Sequence, residues 1–373
     1  MELRELLAFA VERDASDLFL KGGKPPALRI NGKVVFTDLP EIPEDDARAI
    51  LSSLMTKEQL DYFSKHHELD LSFDVKDVCR VRVNVYQQRG IWAGVFRIVP
   101  YQVRSIEELH LPPVLKNLAQ ERQGLILITG PTGCGKSTTL AAMVELINRT
   151  RRCNIVTIED PIEFVFEEKE ALISQREVGI DTDSFYSALR HVVRQSPDVI
   201  LIGEMRDLET ISVALQASET GHLVLSTVHT CSAVETLDRI ASMFPPHERR
   251  LVLFRLANAL RGIVSQKLVP RADGKGRIPV CEVLIATPTV TKLIEEEKPH
   301  QLHSVMSEDR FYGMQTMNQC LAKYVLRGLI TEEEAMFAAT SKTELRQLLR
   351  HHQASAHTTQ RQQQGGENQQ TSA

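Results

Sequence analysis

Residues 124–148, GLILITGPTGCGKSTTLAAMVELIN, constrain this chain more than any other stretch. An apolar run from Leu125 to Ile128 leads into Gly130-Pro131-Thr132-Gly133-Cys134-Gly135-Lys136-Ser137, which satisfies the pattern G-x-x-x-x-G-K-[ST]. Leu140, Val144 and Ile147 then recur at helical spacing, so the pattern lies between a strand and a helix, the context it requires. A chain of this length matches the bare pattern by accident roughly once in a hundred, given glycine at about 7% of residues. The added context makes accident rarer still.

The residue types dictate a chemistry. Gly130, Gly133 and Gly135 allow backbone conformations closed to other residues, so that successive N–H groups can face one concavity at a helix N-terminus, where phosphate charge is favoured. Lys136 adds a mobile cation for β- and γ-phosphates, and the Ser137 hydroxyl is placed to bind Mg²⁺. Pro131, Thr132, Cys134 and Thr138 complete the expected nucleotide cradle; a small residue at Cys134 is simply tolerated there.

The totals exclude several classes. At 373 residues, two domains are expected, and 42% hydrophobic with 25% charged residues is an ordinary globular composition. A net charge of −5 argues against a general nucleic-acid or acidic-membrane binder. The six cysteines contain no C-x-x-C, which indicates neither a disulfide framework nor a zinc ribbon, and reduced cytosol is the default. No stretch approaches the ~18 consecutive apolar residues of a membrane span, and the acidic N-terminus is not a signal peptide. Any membrane role is therefore expected to run through a partner.

In chain order, residues 3–13 read as a core-facing helix, and Leu18–Leu20 and Ala27–Phe36 as short strands, the second broken by Asn31-Gly32. A polar helix is expected around 44–64. Val81, Val83 and Val85 alternate with Arg80, Arg82 and Asn84, and Arg97 follows in a second strand, Val95–Val99. Residue pattern alone leaves these arginines as solubilising charge. Residues 101–113 read as a linker closed by Pro112-Pro113.

Beyond it, strands alternate with helices, the signature of a parallel sheet with covering helices. Asn154–Ile158 ends in Glu159-Asp160-Pro161-Ile162-Glu163, Val199–Ile202 in Gly203-Glu204, and Leu223–Thr227 in Val228-His229. Taken singly, each carboxylate is a helix cap or a solvated turn. If the strands are parallel, however, these ends share one edge with the glycine-rich loop, and in open α/β sheets that edge binds ligands. Glu204 is then the candidate to orient and deprotonate an attacking water, while Asp198 lies at the wrong end of its strand. Ser232/Glu235, Thr331/Glu334 and Ser341/Glu344 fit capping boxes, a helix is expected from His247 to about Lys267, and residues 272–276 turn a hairpin between Leu268 and Val283. The Gln-rich tail over 351–373 is expected to be disordered.

Five motifs carry a resemblance: GPTGCGKS at 130–137, TIEDPIEF at 157–164, QREVGID at 175–181, PDVILIGEMRDLET at 197–210 and TGHLVLSTVHT at 220–230. Over residues 1 to about 350 the chain resembles the type IV pilus retraction ATPases of the PilT and PilU type, within the secretion ATPase superfamily. That resemblance implies an α/β fold: a RecA-like ATPase domain over 114–350 with a helical C-terminal portion, and a small PAS-like α+β domain over 1–100. It implies a homohexamer that hydrolyses ATP with Mg²⁺ and powers pilus retraction by pilin depolymerisation. The ring would stand at the cytoplasmic face of the inner membrane against a platform protein, in company with a paralogous retraction ATPase, without nucleic acid and without entering the membrane.

By the same resemblance Glu204 is the catalytic glutamate, and Glu163 is the acidic-box glutamate, bound to Mg²⁺ directly or through water. His222 and His229 form the histidine box, with His229 the nucleotide sensor, and Arg82 and Arg97 are the arginines that the smaller domain brings to the nucleotide. One stretch departs. Where the retraction ATPases carry AIRNLIRE, this chain reads Thr289-Val290-Thr291-Lys292-Leu293-Ile294-Glu295-Glu296, keeping the Leu-Ile core and one Glu but losing the arginines and Asn. An accessory or paralogous retraction ATPase, and a nucleotide-binding regulatory subunit, therefore remain open beside the main motor.

Overall fold

The computed structural model describes residues 2–30, 32–76, 78–99 and 103–351. Asn31 of the expected hairpin, the start of the expected linker and all but the first residue of the Gln-rich tail lie outside them. The chain forms two compact units, Met1–Val103 with Glu163–Glu167, and Arg104–Ile162 with Glu168–Ala373.

In the first unit, α1 (Leu3–Val11) precedes β1 (Asp17–Lys21), β2 (Ala27–Ile30) and β3 (Lys33–Phe36). Helices α2 (Glu44–Ser52) and α3 (Lys57–His66) lead to β4 (Glu68–Val75), β5 (Cys79–Gln88) and β6 (Ile91–Val99). The strands form one antiparallel sheet in the order β3-β2-β1-β6-β5-β4. Period-two alternation buries Cys79, Val81, Val83 and Val85 of β5 against Leu6 and Leu7 of α1, Leu51 of α2 and Phe63 of α3 in one core. The polar helix expected over 44–64 is two helices. The Thr56 hydroxyl accepts a hydrogen bond from the Gln59 backbone N–H and Gln59 Oε1 accepts one from the Thr56 backbone N–H, a full capping box that starts the second. Strand β6 also begins earlier than expected, at Ile91.

The second unit opens with α4 (Val114–Ala119), β7 (Gly124–Thr129), α5 (Lys136–Thr150), β8 (Asn154–Glu159) and β9 (Leu172–Glu177). It continues with α6 (Phe185–Val192), β10 (Val199–Ile202), α7 (Leu208–Glu219), β11 (Leu223–Val228), α8 (Ala233–Ser242) and α9 (Arg249–Ala259). A hairpin, β12 (Leu260–Pro270) and β13 (Arg277–Ile285), precedes α10 (Pro288–Glu295), α11 (Leu302–Glu308), α12 (Met317–Leu326) and α13 (Glu332–Ala338). The sheet order is β13-β12-β7-β11-β10-β8-β9, parallel throughout except for the hairpin.

Alternate residues Leu125 and Leu127, Val156 and Ile158, Ile200 and Ile202 enter one core with α6 to α11, while α5 packs on β7 and β11 from the other side. A second core joins Val269, Ile278 and Val280 of the hairpin to Met317, Leu321 and Ala335 of α12 and α13. Among the described residues no helix is long and apolar enough to cross a membrane.

The helix expected from His247 to Lys267 ends at Ala259, and residues 260–270 are strand β12. β12 is buried on both faces, so its apolar residues do not alternate, and periodicity cannot distinguish it from a buried helix. Gly262 and the β-branched pair Ile263-Val264 decide for the strand: a Cβ at 262 would meet the Leu284 carbonyl oxygen at 3.1 Å. Ser232, Thr331 and Ser341 each accept from the amide three residues on, as capping boxes require. The return bond is replaced at two of them, Glu235 bonding the Cys231 amide at 2.7 Å and Glu344 the Asn318 side chain at 2.7 Å.

One buried acid anchors α5. Glu145, 6% exposed, accepts from Arg149 Nε at 2.6 Å, from Asn148 Nδ2 at 3.2 Å and from Lys169. Burial pushes its carboxyl up, but the hydrogen bonds from Lys169, Arg149 and Asn148 outweigh that and hold its pKa below the ordinary glutamate value. A lowered folded pKa contributes stability above the unfolded value of about 4.3, and that stability is lost as pH falls through the folded value. Glu145→Gln is expected to cost about 1–2 kcal/mol at pH 7 in denaturant unfolding, with the gap to wild type narrowing below about pH 4. A gap constant with pH would show that the charge contributes nothing.

Candidate active site

Strand β7, buried along its whole length and flanked by β12 and β11, delivers the glycine-rich loop to the sheet's carboxyl edge. Gly130, Gly133 and Gly135 take φ of +143°, +76° and +89°. At Gly130 a side chain is doubly excluded, since a Cβ would lie 2.3 Å from the carbonyl oxygen of Gln266 and 2.5 Å from Cys134 Sγ. Gly135 is the N-cap of α5, whose first residues are Lys136, Ser137 and Thr138. Lys136, only 8% exposed, turns back on its own loop: Nζ donates to the carbonyls of Gly130 at 2.9 Å and Pro131 at 3.1 Å. Burial raises the Cys134 thiol above its ordinary pKa, despite the nearby Lys136 charge, which disfavours the reactive thiolate.

Because β8, β10, β11 and β7 are parallel, their carboxyl ends share that edge, as expected. The turn after β10 is tied to both neighbours. The Gly203 amide donates to the Ile158 carbonyl at 2.8 Å, Thr227 Oγ1 donates to the Gly203 carbonyl at 2.7 Å, and the Met205 amide donates to the Thr227 carbonyl at 3.1 Å. Glu204 is thereby fixed, 8% exposed, with its carboxylate 3.3 Å from His229 Nε2 and ion-paired with Arg206. His229 Nδ1 lies 3.4 Å from Lys136 Nζ. An ammonium only donates and a carboxylate only accepts, so these neighbours select the imidazole tautomer with the proton on Nε2. The result is one chain of contacts, Lys136–His229–Glu204–Arg206.

Not every expected residue joins it. His222 precedes β11 whereas His229 follows it, so the two stand at opposite edges of the sheet. His222 Nδ1 instead contacts the Ala217 carbonyl at 2.9 Å, at the C-terminus of α7, and its own carbonyl accepts from the Gly124 amide at 3.0 Å. The two residues of the histidine box are thus separated: His229 lies beside the loop, and the strand direction carries His222 away from it. Glu159, 8% exposed, accepts from Thr157 Oγ1 at 2.7 Å and Gln175 Nε2 at 3.1 Å and is held as part of the frame. Glu163 is exposed and belongs to the first unit with Arg82 and Arg97. Arg82 and Arg97 face each other across the β5–β6 pair, and Asp17 bridges Arg97 and Arg29, each at 3.2 Å, which offsets the like-charge opposition.

Two contributors went unnoticed in the sequence. Arg206 was signalled only by its place two residues after Glu204. Gln266, 3% exposed in β12, donates from Nε2 to the Cys134 carbonyl at 2.7 Å and accepts from Thr139 Oγ1 at 2.8 Å. An amide between the apolar pairs Ile263-Val264 and Leu268-Val269 was the available signal, hidden by reading that stretch as helix.

The model of the Type II/IV secretion system protein family matches residues 3–367. This chain belongs to that family. It is an ATPase of the family, 45% identical over 335 residues to the type IV pilus retraction ATPase PilT of Pseudomonas aeruginosa, an alignment covering 90% of this chain and 97% of that one. The type IV pilus ATPase PilU of the same organism is 40% identical over 351 residues, covering 94% and 92%. A crystal structure of the pilus retraction motor PilT with bound ADP superposes with a TM-score of 0.85 at 43% identity, covering 93% of this chain and 99% of that one. The departing segment at 289–296 lies on α10, where Val290 and Ile294 are buried in the main core while Thr289, Lys292 and Glu296 are exposed.

The separation of the histidines has a measurable consequence. His229→Ala is expected to lower ATP turnover by about tenfold or more, because it touches both Lys136 and Glu204. His222→Ala is expected to leave ADP affinity within about twofold in calorimetry, since a lost cap contact at α7 acts on stability. Loss of ADP binding in His222→Ala would refute that placement.

Proposed function

We propose that this ATPase is a Mg²⁺-ATP-driven motor of type IV pilus retraction. In this reading it works as a homohexamer at the inner face of the inner membrane, acts on a membrane platform protein, and drives pilin depolymerisation. The observation that carries the reading is the contact chain from Lys136 through His229 to Glu204 at the mouth of a glycine-rich loop. The extent of the similarity to P. aeruginosa PilT supports the choice of process.

The chemistry is hydrolysis. Lys136 exchanges two neutral carbonyls for phosphate oxygens, which are stronger acceptors because the bond is charge-assisted at both ends. The water oxygen bonds to the γ-phosphorus as the bond to the β,γ-bridging oxygen breaks, the water proton passes to the Glu204 carboxylate, and ADP departs with the bridging oxygen's electron pair. Among the described residues no group of three or more His, Cys, Asp or Glu could hold a metal. That suits Mg²⁺ carried largely by phosphates and waters, with Ser137 and, directly or through water, Glu163 as its protein contacts. When bound, the ion supplies neutralisation of β- and γ-oxygen charge. Arg82 and Arg97 are the proposed cations for charge that develops on the transferred phosphoryl.

A second reading, an accessory motor of the PilU type, is supported by α10, where Thr291, Lys292 and Glu295 stand at the arginine and amide positions of the retraction motif. Deleting the chain's gene separates the two: loss of twitching even with a paralogue overexpressed supports the main motor, and rescue by the paralogue supports the accessory role.

Glu204→Ala is expected to lower phosphate release by about a hundredfold or more while ADP still binds; equal rates in the two proteins would remove Glu204 as base. For Arg97→Ala, kcat should fall at least tenfold while ATP affinity changes less than about threefold, the signature of a contact made mainly in the transition state. An unchanged kcat would return Arg97 to the surface charge that sequence pattern alone suggests.

A further inference from the structure

Gln266 is one of two buried polar side chains in β12, beside Ser265. Both ends of its amide are committed: Nε2 donates to the Cys134 carbonyl at 2.7 Å, an acceptor that fixes that end as nitrogen, and the Thr139 hydroxyl donates to Oε1 at 2.8 Å. The approach is as close as backbone permits. A Cβ at Gly130 would meet the Gln266 carbonyl oxygen at 2.3 Å, and one at Gly135 would meet Nε2 at 3.0 Å.

The anchored peptide is the one between Cys134 and Gly135. In a trans peptide the C=O and N–H point in opposite directions, so holding the Cys134 carbonyl on β12 turns the Gly135 N–H away from β12. Backbone N–H groups of a loop of this kind bind phosphate only when several converge, and a peptide free to flip would place a carbonyl oxygen where a donor is needed.

We infer that Gln266 is a positioning residue for phosphate binding, keeping the Gly135 N–H aligned with the other loop donors by gripping the 134–135 peptide from behind. Thr139 orients the grip. The inference rests on the reading that this loop holds nucleotide phosphates, and it adds that the strand opposite the loop sets the loop's donor geometry.

The test uses the full chain, with ADP as the calorimetric probe. Gln266→Met keeps the volume and removes both hydrogen bonds. ADP dissociation constant and KM for ATP are each expected to rise about tenfold or more, with a much smaller change in kcat and in the nucleotide-free melting temperature. Thr139→Val, which leaves the amide in place but unoriented, should weaken ADP binding about threefold, and the double variant should bind no more weakly than Gln266→Met alone, because the two act through one contact.

A fall in kcat with KM and ADP affinity unchanged would mark Gln266 as structural only and overturn the inference. Should Gln266→Met fail to fold, Thr139→Val decides: wild-type ADP affinity in that variant overturns it. Wild-type protein that binds no ADP would remove the nucleotide reading itself, and this inference with it, whereas wild-type binding matched by Gln266→Met removes the positioning role alone.

Discussion

A backbone oxygen of β12 stands where a side chain on Gly130 would have to be. That close approach joins the loop to a strand more than 130 residues later in the chain, with the Gln266 amide bonded to a loop carbonyl 132 residues before it. The neighbouring residues of the same strand repeat the theme. Ser265 accepts from Thr129 at the end of β7 at 2.8 Å, and Lys267 donates to the Ala338 carbonyl of α13 at 2.9 Å. Three consecutive residues thus fasten the end of β7, the loop and the C-terminal helices. The hairpin is accordingly part of the site's foundation.

On the open side the constraint is electrostatic. Lys136 and Glu204 are both nearly buried and carry opposite charge, and each is satisfied within the protein, the ammonium by two carbonyls and the carboxylate by Arg206. The neutral His229 ring spans them with one nitrogen accepting and the other donating. The loop cation and the strand-end carboxylate are thereby joined through one imidazole.

What the sequence revealed follows from which signals are local. The glycine-rich pattern, the strand-end acids and the alternation of Val81, Val83 and Val85 each lie within a few residues, and the structure has the same elements in the same places. The direction of the strands, and so the shared edge, followed from strand and helix alternation. Contacts set by sheet neighbours were not legible. β12 lies beside β7 with no sequence signal for that pairing, and its two-sided burial imitates a helix. For the same reason Gln266 read as an ordinary polar residue. On α10 the apolar positions Val290 and Ile294 keep their place in the core, while Thr291, Lys292 and Glu295, at the arginine and amide positions of the retraction motif, are partly or fully exposed, where folding imposes less constraint and partners impose more.

Strand direction also limits what the two histidines can do. The six residues of β11 span about 20 Å at ~3.3 Å per residue, with His222 before the strand and His229 after it. A side chain cannot reach across that length, so His229 and not His222 lies within reach of the glycine-rich loop of this chain. Any influence of His222 on turnover must therefore pass along β11, whose first residues pair with β7 and β10, or be exerted on nucleotide held by another subunit. The first route predicts coupling between His222 and the strand pairings that carry Glu204. The second makes turnover depend on assembly, and protein concentration distinguishes the two because only the second is lost on dilution.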